Sequence, residues 1–266
     1  MSHRSNSRYE LDNISADPVS LAHAADSDGV VMQPLSSDVY DGWLATDAEE
    51  ILLERSDFQV RLADTRGRRN KSSLLINRMY SWRGYKRDGV SEPSGDLNRI
   101  TLQACHGDNV FGTLSLGFDS GNGLAADALY QREINQFRQS GAKVCELTRL
   151  AVDPKEGSKE VLGALFHLAY IYGALLHAAT DVFIEVNPRH VSFYKRMLDF
   201  KQVGELRMCA RVEAPAVLLH LEVAYVAEQI ARYGGHRGRG KRSLYPYFFS
   251  RREEEGLMRR VERFTR

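Results

Sequence analysis

Cysteine is scarce in this sequence: Cys105, Cys145 and Cys209 are the three cysteines among 266 residues. They are too few and too widely spaced for a disulfide framework or a zinc site, so we expect reduced thiols in a cytoplasmic protein. No other group of residues has the spacing of metal ligands, and we therefore expect no metal site. The N-terminus also lacks the basic-then-apolar pattern of a signal peptide.

Net charge is small as well, at +1 for the whole chain, so no overall field favours a nucleic acid or a membrane. The charge that is present is concentrated towards the two ends. Residues 1–50 contain ten Asp or Glu against two Arg, and residues 231–266 contain eleven Lys or Arg against four Glu. We predict an acidic, disordered segment (1–50), a central domain (51–235) and a basic C-terminal extension (236–266).

Long apolar runs are also rare. The most apolar window, residues 161–179, is about long enough to cross a membrane, but it contains His167 and His177 and follows a turn rich in Lys and Glu. We predict a buried core helix and no transmembrane segment. The two histidines do not share a helix face, and we interpret both as structural. The basic run HRGRGKR at 236–242 has no interleaved aromatic residues, so we expect no nucleic acid partner.

The remaining pattern predicts a mixed α/β fold with a mostly antiparallel first half. The predicted order is a strand (58–65), a helix (66–85), a hairpin (99–105 and 110–118), a helix (124–139), a strand (145–152), a long helix, a strand (181–186), a helix, two strands (201–212 and 216–223) and a short helix (224–233). Ser158 suits the N-cap of the long helix, and Asn187-Pro188 suits the start of the next one. Residues 144–188 then form a β-α-β crossover, and ligands bind at the carboxyl ends of such parallel strands.

The strand in CELTRLAVDP, residues 145–154, carries charges that a central strand should not carry without a reason. Side chains alternate along a strand, so Glu146 and Thr148 share a face with Leu150 and Val152, whereas Arg149 points the other way. We therefore expect this strand to provide the floor of a polar site.

Two parts of the sequence resemble known families. NPRHVSFYKRMLDFKQVGE resembles the closing motif of the GNAT fold, and ELTRLAV is similar to the Glu-x-Ser-Arg-x-x-Val strand of acyl-homoserine lactone synthases. The longer run from roughly 57 to 235, including FGTLSLGFDSGNG, CELTRLAVDP and TDVFIEVNPRHVSFYKRMLDF, resembles the long-chain N-acyl amino acid synthases, a related GNAT branch. The resemblance implies a GNAT-like, largely antiparallel sheet flanked by helices.

The same resemblance implies an activity. An acyltransferase of this family would move a long-chain fatty acyl group from an acyl carrier protein thioester to the α-amine of an amino acid. The amine would attack directly, without a covalent enzyme intermediate. No cofactor would be tightly bound, because the acyl-phosphopantetheine thioester of the carrier protein, or of CoA, is a co-substrate.

The sequence departs from the GNAT pattern at two places. Asp199 stands where a glycine is usual, at a position that often needs a positive φ. The loop KEGSKEVLG, residues 155–163, lacks the glycine pair of the usual pyrophosphate loop. Gly157 and Ser158 still offer backbone N–H groups at a helix N-terminus, where anions bind. The single phosphate of a pantetheine arm needs fewer such groups than the diphosphate of CoA.

Aminolysis of a thioester needs a base for the amine, and a positioned base contributes about 10²–10⁴-fold. Glu146 is the candidate base, directly or through a water, or it holds the ammonium group; the alternative is a structural ion pair with an arginine such as Arg61. Arg149 is the candidate ligand of the amino acid carboxylate, with a pair to Glu146 or Glu185 as the alternative. Because Glu146 and Arg149 face opposite ways on a regular strand, both enter one pocket only if the strand contains a bulge.

The other candidate residues follow from the resemblance. The backbone amides of Leu150 to Val152 would polarise the thioester carbonyl, and Tyr194 would protonate the departing thiolate, unless it simply belongs to the core with Val191 and Leu198. Asn187 would bind the pantetheine arm or act only as an N-cap. His190 would contact the phosphate or lie on an exposed helix surface.

Two surfaces remain open to more than one interpretation. An acidic carrier protein would dock on the basic run 236–242 or on Arg66, Arg68, Arg69 and Lys71, although these charges also suit a solvated surface. The apolar faces of helix 66–85 and of YPYFF, 245–249, would enclose an acyl chain, or the latter packs the tail onto the domain. An acyl-CoA-dependent N-acetyltransferase and a non-catalytic GNAT-like binding module remain alternative functions.

Overall fold

A mostly antiparallel sheet, with nine strands among the described residues, forms the core of the part of the chain that the structure describes. The computed structural model describes residues 51–82, 84, 98–237 and 242–264, which belong to a unit spanning Glu50–Arg266. The predicted acidic segment 1–50, the loop at 86–96 and positions 238–241 of the basic run lie outside the described residues.

The strands and helices follow one another closely along the chain. The strands are β1 (Ile51–Glu54), β2 (Gln59–Leu62), β3 (Arg99–His106), β4 (Asn109–Phe118), β5 (Val144–Val152), β6 (Asp181–Val186), β7 (Lys201–Gln202), β8 (Arg207–Cys209) and β9 (Ala214–Glu222). The α-helices are α1 (Arg66–Trp82), α2 (Asp127–Gln139), α3 (Lys159–Tyr170), α4 (Val191–Leu198), α5 (Val223–Tyr233) and α6 (Arg251–Phe264). A π-helical turn, Ile171–Leu176, continues α3, and a 3₁₀ turn, Pro188–His190, precedes α4.

The sheet has the order β1-β2-β3-β4-β5-β6-β9-β7, with β8 paired to β9. The strands β5 and β6 pair in parallel, as the predicted β-α-β crossover requires. Both predicted helix starts are confirmed. The hydroxyl of Ser158 accepts the N–H of Val161 at 3.2 Å, and the side chain of Asn187 accepts the N–H of Arg189 at 3.2 Å.

Two predictions about strands were wrong. The sequence pattern did not predict β1. In the structure β1 is the first strand, and it forms an antiparallel hairpin with β2. The predicted strand 201–212 is two short strands, because Val203 and Gly204 both donate to the carbonyl of Leu218 and interrupt the ladder. A Cβ at Gly204 would lie 2.6 Å from the Cβ of Leu218, so only glycine allows this close approach. The expected positive φ before β7 is present, with Asp199 at φ 67°.

Helices cover both faces of the sheet. On one face, the side chain of Gln103 in β3 donates to Arg68 O and Ser72 Oγ of α1, at 2.6 and 2.7 Å. Phe183 of β6 packs on the same face in a cluster with residues of α2. The opposite face packs against α3, since a Cβ at Gly112 of β4 would contact Leu165. We refer to these as the α2 face and the α3 face.

The helical segment Lys159–Leu176 is long and apolar enough to span a membrane by length and composition alone. Two thirds of it is buried against the rest of the protein (67%), with Leu165 and Leu168 fully inaccessible. It is thus the core helix that the sequence predicts.

The C-terminal segment 242–264 packs onto the domain. Leu244 N–H donates to Met197 O at 2.9 Å, and the Tyr245 hydroxyl donates to Leu198 O at 2.7 Å. His167 of α3 is fully buried beneath it. The imidazole Nδ1 of His167 accepts the N–H of Phe249 at 2.8 Å, so Nδ1 carries no proton and Nε2 donates to Glu254 at 2.7 Å. His167 is therefore structural, as predicted.

This arrangement predicts that acid weakens the attachment of the C-terminal segment to α3. Burial lowers the pKa of His167, and the hydrogen bond to Glu254 only partly opposes this. Protonation would place a hydrogen on Nδ1. Nδ1 could then no longer accept the N–H of Phe249, and the two N–H groups would face each other. Because the folded state binds this proton less readily, its stability falls as the pH drops below about 6.5. Thermal midpoints measured from pH 7.5 to 5 will decline less steeply in His167→Asn, which keeps an acceptor for Phe249. Glu254→Gln should retain the acid sensitivity; equal slopes for His167→Asn and wild type would contradict the prediction.

Candidate functional site

The strands β5 and β6 separate in the middle of the sheet. In the described part of the chain, their pairing runs from Val144–Asp181 to Glu146–Phe183 and then stops. Both strands continue, because β5 pairs with β4 as far as Val152 and β6 pairs with β9 as far as Val186. The result is a cleft between two parallel strands that opens towards their carboxyl ends, where open α/β sheets bind ligands.

A bulge re-aims β5 inside this cleft. Thr113 of β4 faces Ala151, and Ser115 faces Thr148, so Arg149 and Leu150 share one position on the partner strand. Arg149 has φ 57°, a left-handed conformation that is rare for this residue type, and its carbonyl accepts the hydroxyl of Thr113 at 2.9 Å. A strained residue of this kind is common at functional sites.

Because of the bulge, the predicted assignment of β5 side chains to the two faces of the sheet is wrong beyond Arg149. Beyond it the alternation changes phase, so that Ala151 lies on the α2 face with Glu146 and Thr148, in place of Leu150 and Val152. The bulge also meets the condition under which Glu146 and Arg149 contribute to one pocket.

The bulge leaves backbone amides for the cleft. Asp153 donates its N–H to Phe111 O of β4 at 2.7 Å. Successive amides of a strand point to opposite edges, so the N–H of Val152 points away from β4 and towards the cleft. Of the predicted amide donors from Leu150 to Val152, Val152 thus has the clearest orientation.

Glu146 is 2% exposed and sits at the closed end of the cleft. Its Oε1 accepts the N–H of Ala125 and its Oε2 accepts the N–H of Ala126, both at 3.0 Å. Arg99 donates to Glu146 Oε1 at 3.4 Å and to Thr148 Oγ1 at 3.2 Å. The suggested ion pair of Glu146 with an arginine is present, and its partner is Arg99. The example given, Arg61, instead bonds Gln103 and lies near Asp108.

The environment of Glu146 shifts its protonation. Burial raises the pKa of the Glu146 carboxyl above its ordinary range, and the N–H groups of Ala125 and Ala126 and the charges of Arg99 and Arg211 oppose this in part. Gly117 provides the space, because a Cβ there would lie 3.1 Å from Glu146 Cγ. The carboxylate therefore holds in place the segment that leads into α2.

An apolar pocket adjoins the cleft on the α3 face. Its empty space, counted together with the part that is open to solvent, is about 480 Å³. Its lining residues come from the sheet (Leu116, Cys145, Leu147, Val182 and Leu221), from α3 and its π-helical turn (Phe166, Ala169, Tyr170, Gly173 and Ala174), and from Ala179, Leu198, Phe200, Val223, Val226 and Phe248. Leu147 is the first β5 residue beyond the paired region, so the pocket reaches the point where the strands separate.

The pocket bears on two predictions. Within the described residues, its lining set includes Phe248 of YPYFF but no residue of α1, so the helix predicted at 66–85 does not enclose it. Of the basic residues proposed for docking, Arg68 is buried and pairs with Asp64 at 2.8 Å, and Lys71 pairs with Asp108 at 2.9 Å. Arg66 is exposed, and Arg69 is partly buried.

The remaining predicted residues lie at the carboxyl ends of β5 and β6. Gly157 and Ser158 belong to the loop before α3, where Gly157 N–H donates to Asp153 O at 2.8 Å and Ser158 caps the helix. Asn187 follows β6 directly. His190 accepts from Arg189 Nε at 3.3 Å. The topology brings these loops to one edge of the sheet.

Tyr194 is half-buried on α4. Its ring makes edge contacts with Phe193 and with Phe200, a residue of the apolar pocket. The neighbours Met197 and Leu198 are buried, so the inner side of α4 belongs to the core.

Sequence reasoning missed two arginines of the site. Arg99 reaches Glu146 from a position 47 residues away, and Arg211 pairs with Glu185 across 26 residues. The suggested pairing of Glu185 with Arg149 is therefore replaced by Glu185 with Arg211. No local pattern could have found either arginine, because each lies at the end of an ordinary strand or turn.

Comparisons with known proteins agree with this geometry. The family model for the N-acyl amino acid synthase FeeM matches residues 71–222, more than half of the chain. The solved structure of FeeM from uncultured soil microbes is 27% identical, with a TM-score of 0.57 over 63% of this chain and 90% of that chain.

More distant structures also match. A putative N-acetyltransferase from Lactobacillus plantarum is 13% identical, with a TM-score of 0.46 over 63% of this chain and 99% of that chain. The acyl-homoserine lactone synthase LasI is 13% identical, with a TM-score of 0.44 over 62% and 89%. No curated protein matches the sequence. The family match over residues 71–222 and a mixed sheet with a cleft between its parallel strands lead to one conclusion: this chain is an acyltransferase of the GNAT fold and belongs to the FeeM family of N-acyl amino acid synthases.

Proposed function

We propose that the protein transfers a long-chain fatty acyl group from the thioester of an acyl carrier protein to the α-amine of an amino acid. The observation that carries the proposal is the cleft between β5 and β6. It opens to an apolar pocket on the α3 face and to charged side chains, among them Glu146, Arg99 and Glu185, on the α2 face. An acyl chain and a zwitterionic amino acid need these two environments, and the thioester would lie in the cleft between them.

The pocket suits a chain of many methylene groups. Each methylene that leaves water stabilises binding by about 0.8 kcal/mol, so a long acyl group gains much more from an apolar pocket than an acetyl group does. Leu147 and Val182 line the pocket on the two strands that separate, so the acyl chain would enter it with its thioester end at these strands.

The proposed reaction has three proton transfers, one bond formed and one bond broken. The ammonium group of the amino acid loses one proton. Its nitrogen then forms a bond to the thioester carbonyl carbon, and the C–S bond breaks after the tetrahedral adduct has lost its second proton. The thiolate of the pantetheine arm takes up one proton. The net products are an amide, a free thiol and one proton released to solvent.

The side chains of the cleft have proposed parts in these steps. Glu146 would accept the amine proton through a water, and Arg149 at the bulge would contact the carboxylate of the amino acid. The N–H of Val152, with that of Leu150, would donate to the oxyanion, where one donor is worth about 10²–10³-fold. Tyr194 would protonate the thiolate.

The choice of donor rests on the loop before α3. The N–H of Gly157 is used within the loop, and Ser158 serves as the helix cap. The first turn of α3 then has N–H groups for one phosphate, with Asn187 and His190 nearby at the end of β6. This supports a pantetheine arm, with its single phosphate, more than the diphosphate of CoA.

A donor competition tests the proposal. Purified protein would be incubated with a mixture of amino acids and one of three donors: long-chain acyl carrier protein, long-chain acyl-CoA or acetyl-CoA. Mass spectrometry would read the products. We expect an N-acyl amino acid from the carrier protein, formed at least about tenfold faster than from acyl-CoA. Product from acetyl-CoA alone would instead identify an acyl-CoA-dependent N-acetyltransferase, and no product from any donor would overturn the proposal.

A further inference from the structure

An ion pair stands beside the cleft on the α2 face. Nη2 of Arg211 donates to both carboxylate oxygens of Glu185 at 3.0 Å. The side chain of Glu185 is 12% exposed, whereas that of Arg211 is 50% exposed. Glu185 therefore bonds one nitrogen of the Arg211 guanidinium, while solvent still reaches this side chain.

Strand geometry locates the pair. Glu185 lies two residues beyond Phe183, the last β6 residue that pairs with β5, and it shares the face of Phe183 because side chains alternate. Val182, on the opposite face, lines the apolar pocket. Glu185 is thus at the opening of the cleft, across from Thr148, with the apolar pocket on the other side of the sheet.

Other charges surround the same opening. Arg99 donates to Glu146 and Thr148, and the positive charge of Arg211 also acts on the Glu146 carboxylate. Two carboxylates and two guanidinium groups therefore meet beside the cleft. A half-exposed ion pair adds little to stability, so the placement of these charges calls for a ligand that carries both signs.

We propose that Glu185 and Arg211 form the recognition site for the acceptor amino acid. Arg211, together with Arg149 of the bulge, binds the α-carboxylate, and Glu185 attracts the α-ammonium group. This inference rests on the proposed function, since it takes the acceptor to be an amino acid. A free amino acid carries its two charges on one carbon atom, so an adjacent carboxylate and guanidinium complement both. The arrangement directs the nitrogen towards the cleft and the thioester.

The inference distinguishes acceptors by their carboxylate. Decarboxylated amines should be poor acceptors for the wild type, because they leave Arg211 without a partner for its solvent-facing edge. A charge-assisted hydrogen bond corresponds to roughly 10- to 150-fold in affinity. Arg211→Met should therefore lower kcat/KM for the amino acid by roughly 10- to 150-fold, mainly through KM, and should leave kcat/KM for the decarboxylated amine nearly unchanged.

The experiment compares four proteins with both acceptors at a fixed saturating acyl donor: wild type, Arg211→Met, Glu185→Gln and Arg207→Met. Arg207 is the matched control, because it pairs with Glu133 on the same face, away from the cleft, with 36% of its side chain exposed. We expect the preference for the amino acid over the amine to collapse in Arg211→Met and to persist in Arg207→Met. Glu185→Gln should raise KM for both acceptors, since both carry the ammonium group. Arg149→Met, assayed in parallel, separates the two arginines.

A binding measurement keeps this inference distinct from the proposed function. Calorimetric titration with each of the twenty common amino acids needs no acyl transfer. Binding by wild type that Arg211→Met abolishes would support the site even if no product forms. An unchanged acceptor preference in Arg211→Met, with circular dichroism showing a folded protein, would overturn the inference. So would equal losses for the amino acid and the amine, because a purely structural pair affects both alike.

Discussion

A chain that ends at Arg237 is expected not to fold, although all nine described strands lie before that residue. The segment 242–264 buries six large side chains: Leu244, Tyr245, Phe248, Phe249, Leu257 and Val261. Each contributes about 1.5–3 kcal/mol when buried, so the loss is on the order of 10 kcal/mol, comparable to the whole stability of a domain. It would also open the wall of the apolar pocket that Phe248 forms.

Circular dichroism and thermal unfolding would test this expectation. At 25 °C the truncated chain should already be unfolded by circular dichroism, and heating it should produce no cooperative unfolding transition. The milder variant Leu257→Ala should still fold, but with about 2–5 kcal/mol less stability, and Arg252→Gln on the exposed side of α6 should match the wild type. A truncated chain with a transition near that of the wild type would show that the segment is dispensable for folding.

Replacement of Glu146 by alanine is expected to reduce both activity and stability. The change leaves the N–H groups of Ala125 and Ala126 without their acceptor in a buried place, at about 1–3 kcal/mol each. It also removes the proposed base, with a loss of about 10²–10⁴-fold in kcat. Chemical denaturation and steady-state kinetics with the acyl carrier protein donor would measure the two losses separately.

Glu146→Gln separates the two roles, because its amide keeps an acceptor for one of the two N–H groups. If the carboxylate is the base, this variant should unfold cooperatively yet lose most of its kcat. The exposed Glu205→Gln is the control, with wild-type values expected for both. Substantial activity in a folded Glu146→Gln protein would leave Glu146 only its positioning role.

The same pair of proteins has a defined pH dependence. Burial raises the pKa of Glu146, so the acid limb of kcat/KM in the wild type should lie above the usual glutamate value of about 4.3 and should be absent in the variant. The free energy of unfolding changes in the opposite direction: acid lowers kcat/KM but stabilises the folded wild type relative to the variant. The folded state takes up the proton more readily, so wild type gains stability relative to Glu146→Gln as the pH falls through the raised pKa towards about 4.3.

Local signals were sufficient for much of the fold. Ser158 and Asn187-Pro188 mark helix starts through hydrogen bonds that span only two or three residues. The strands β3, β4 and β6 are recognisable from their apolar and β-branched residues. By contrast, β1 is only four residues long and was missed, and Gly204 ends the regular ladder through a contact with Leu218 that depends on tertiary packing.

For the functional site too, one part could be predicted from local sequence and the rest depended on tertiary contacts. The charges of β5 identify Glu146 as unusual from the sequence alone, because a carboxylate in an apolar central strand needs a partner. The identity of those partners depends on the register between β4, β5 and β3, which sets Arg99 and the amides of Ala125 and Ala126 around it. The bulge at Arg149 is likewise a mismatch between two strands, and neither strand contains it by itself.

The sequence by itself thus determined most of the order of helices and strands between β2 and α5, the buried character of α3 and the unusual charges of β5, because each depends on residues within a few positions of one another. Only the tertiary structure decided where β5 and β6 separate, that Glu185 meets Arg211, and that the C-terminal segment closes the core over His167. These features join residues that are 26 or more positions apart, and such contacts arise from packing of the whole sheet.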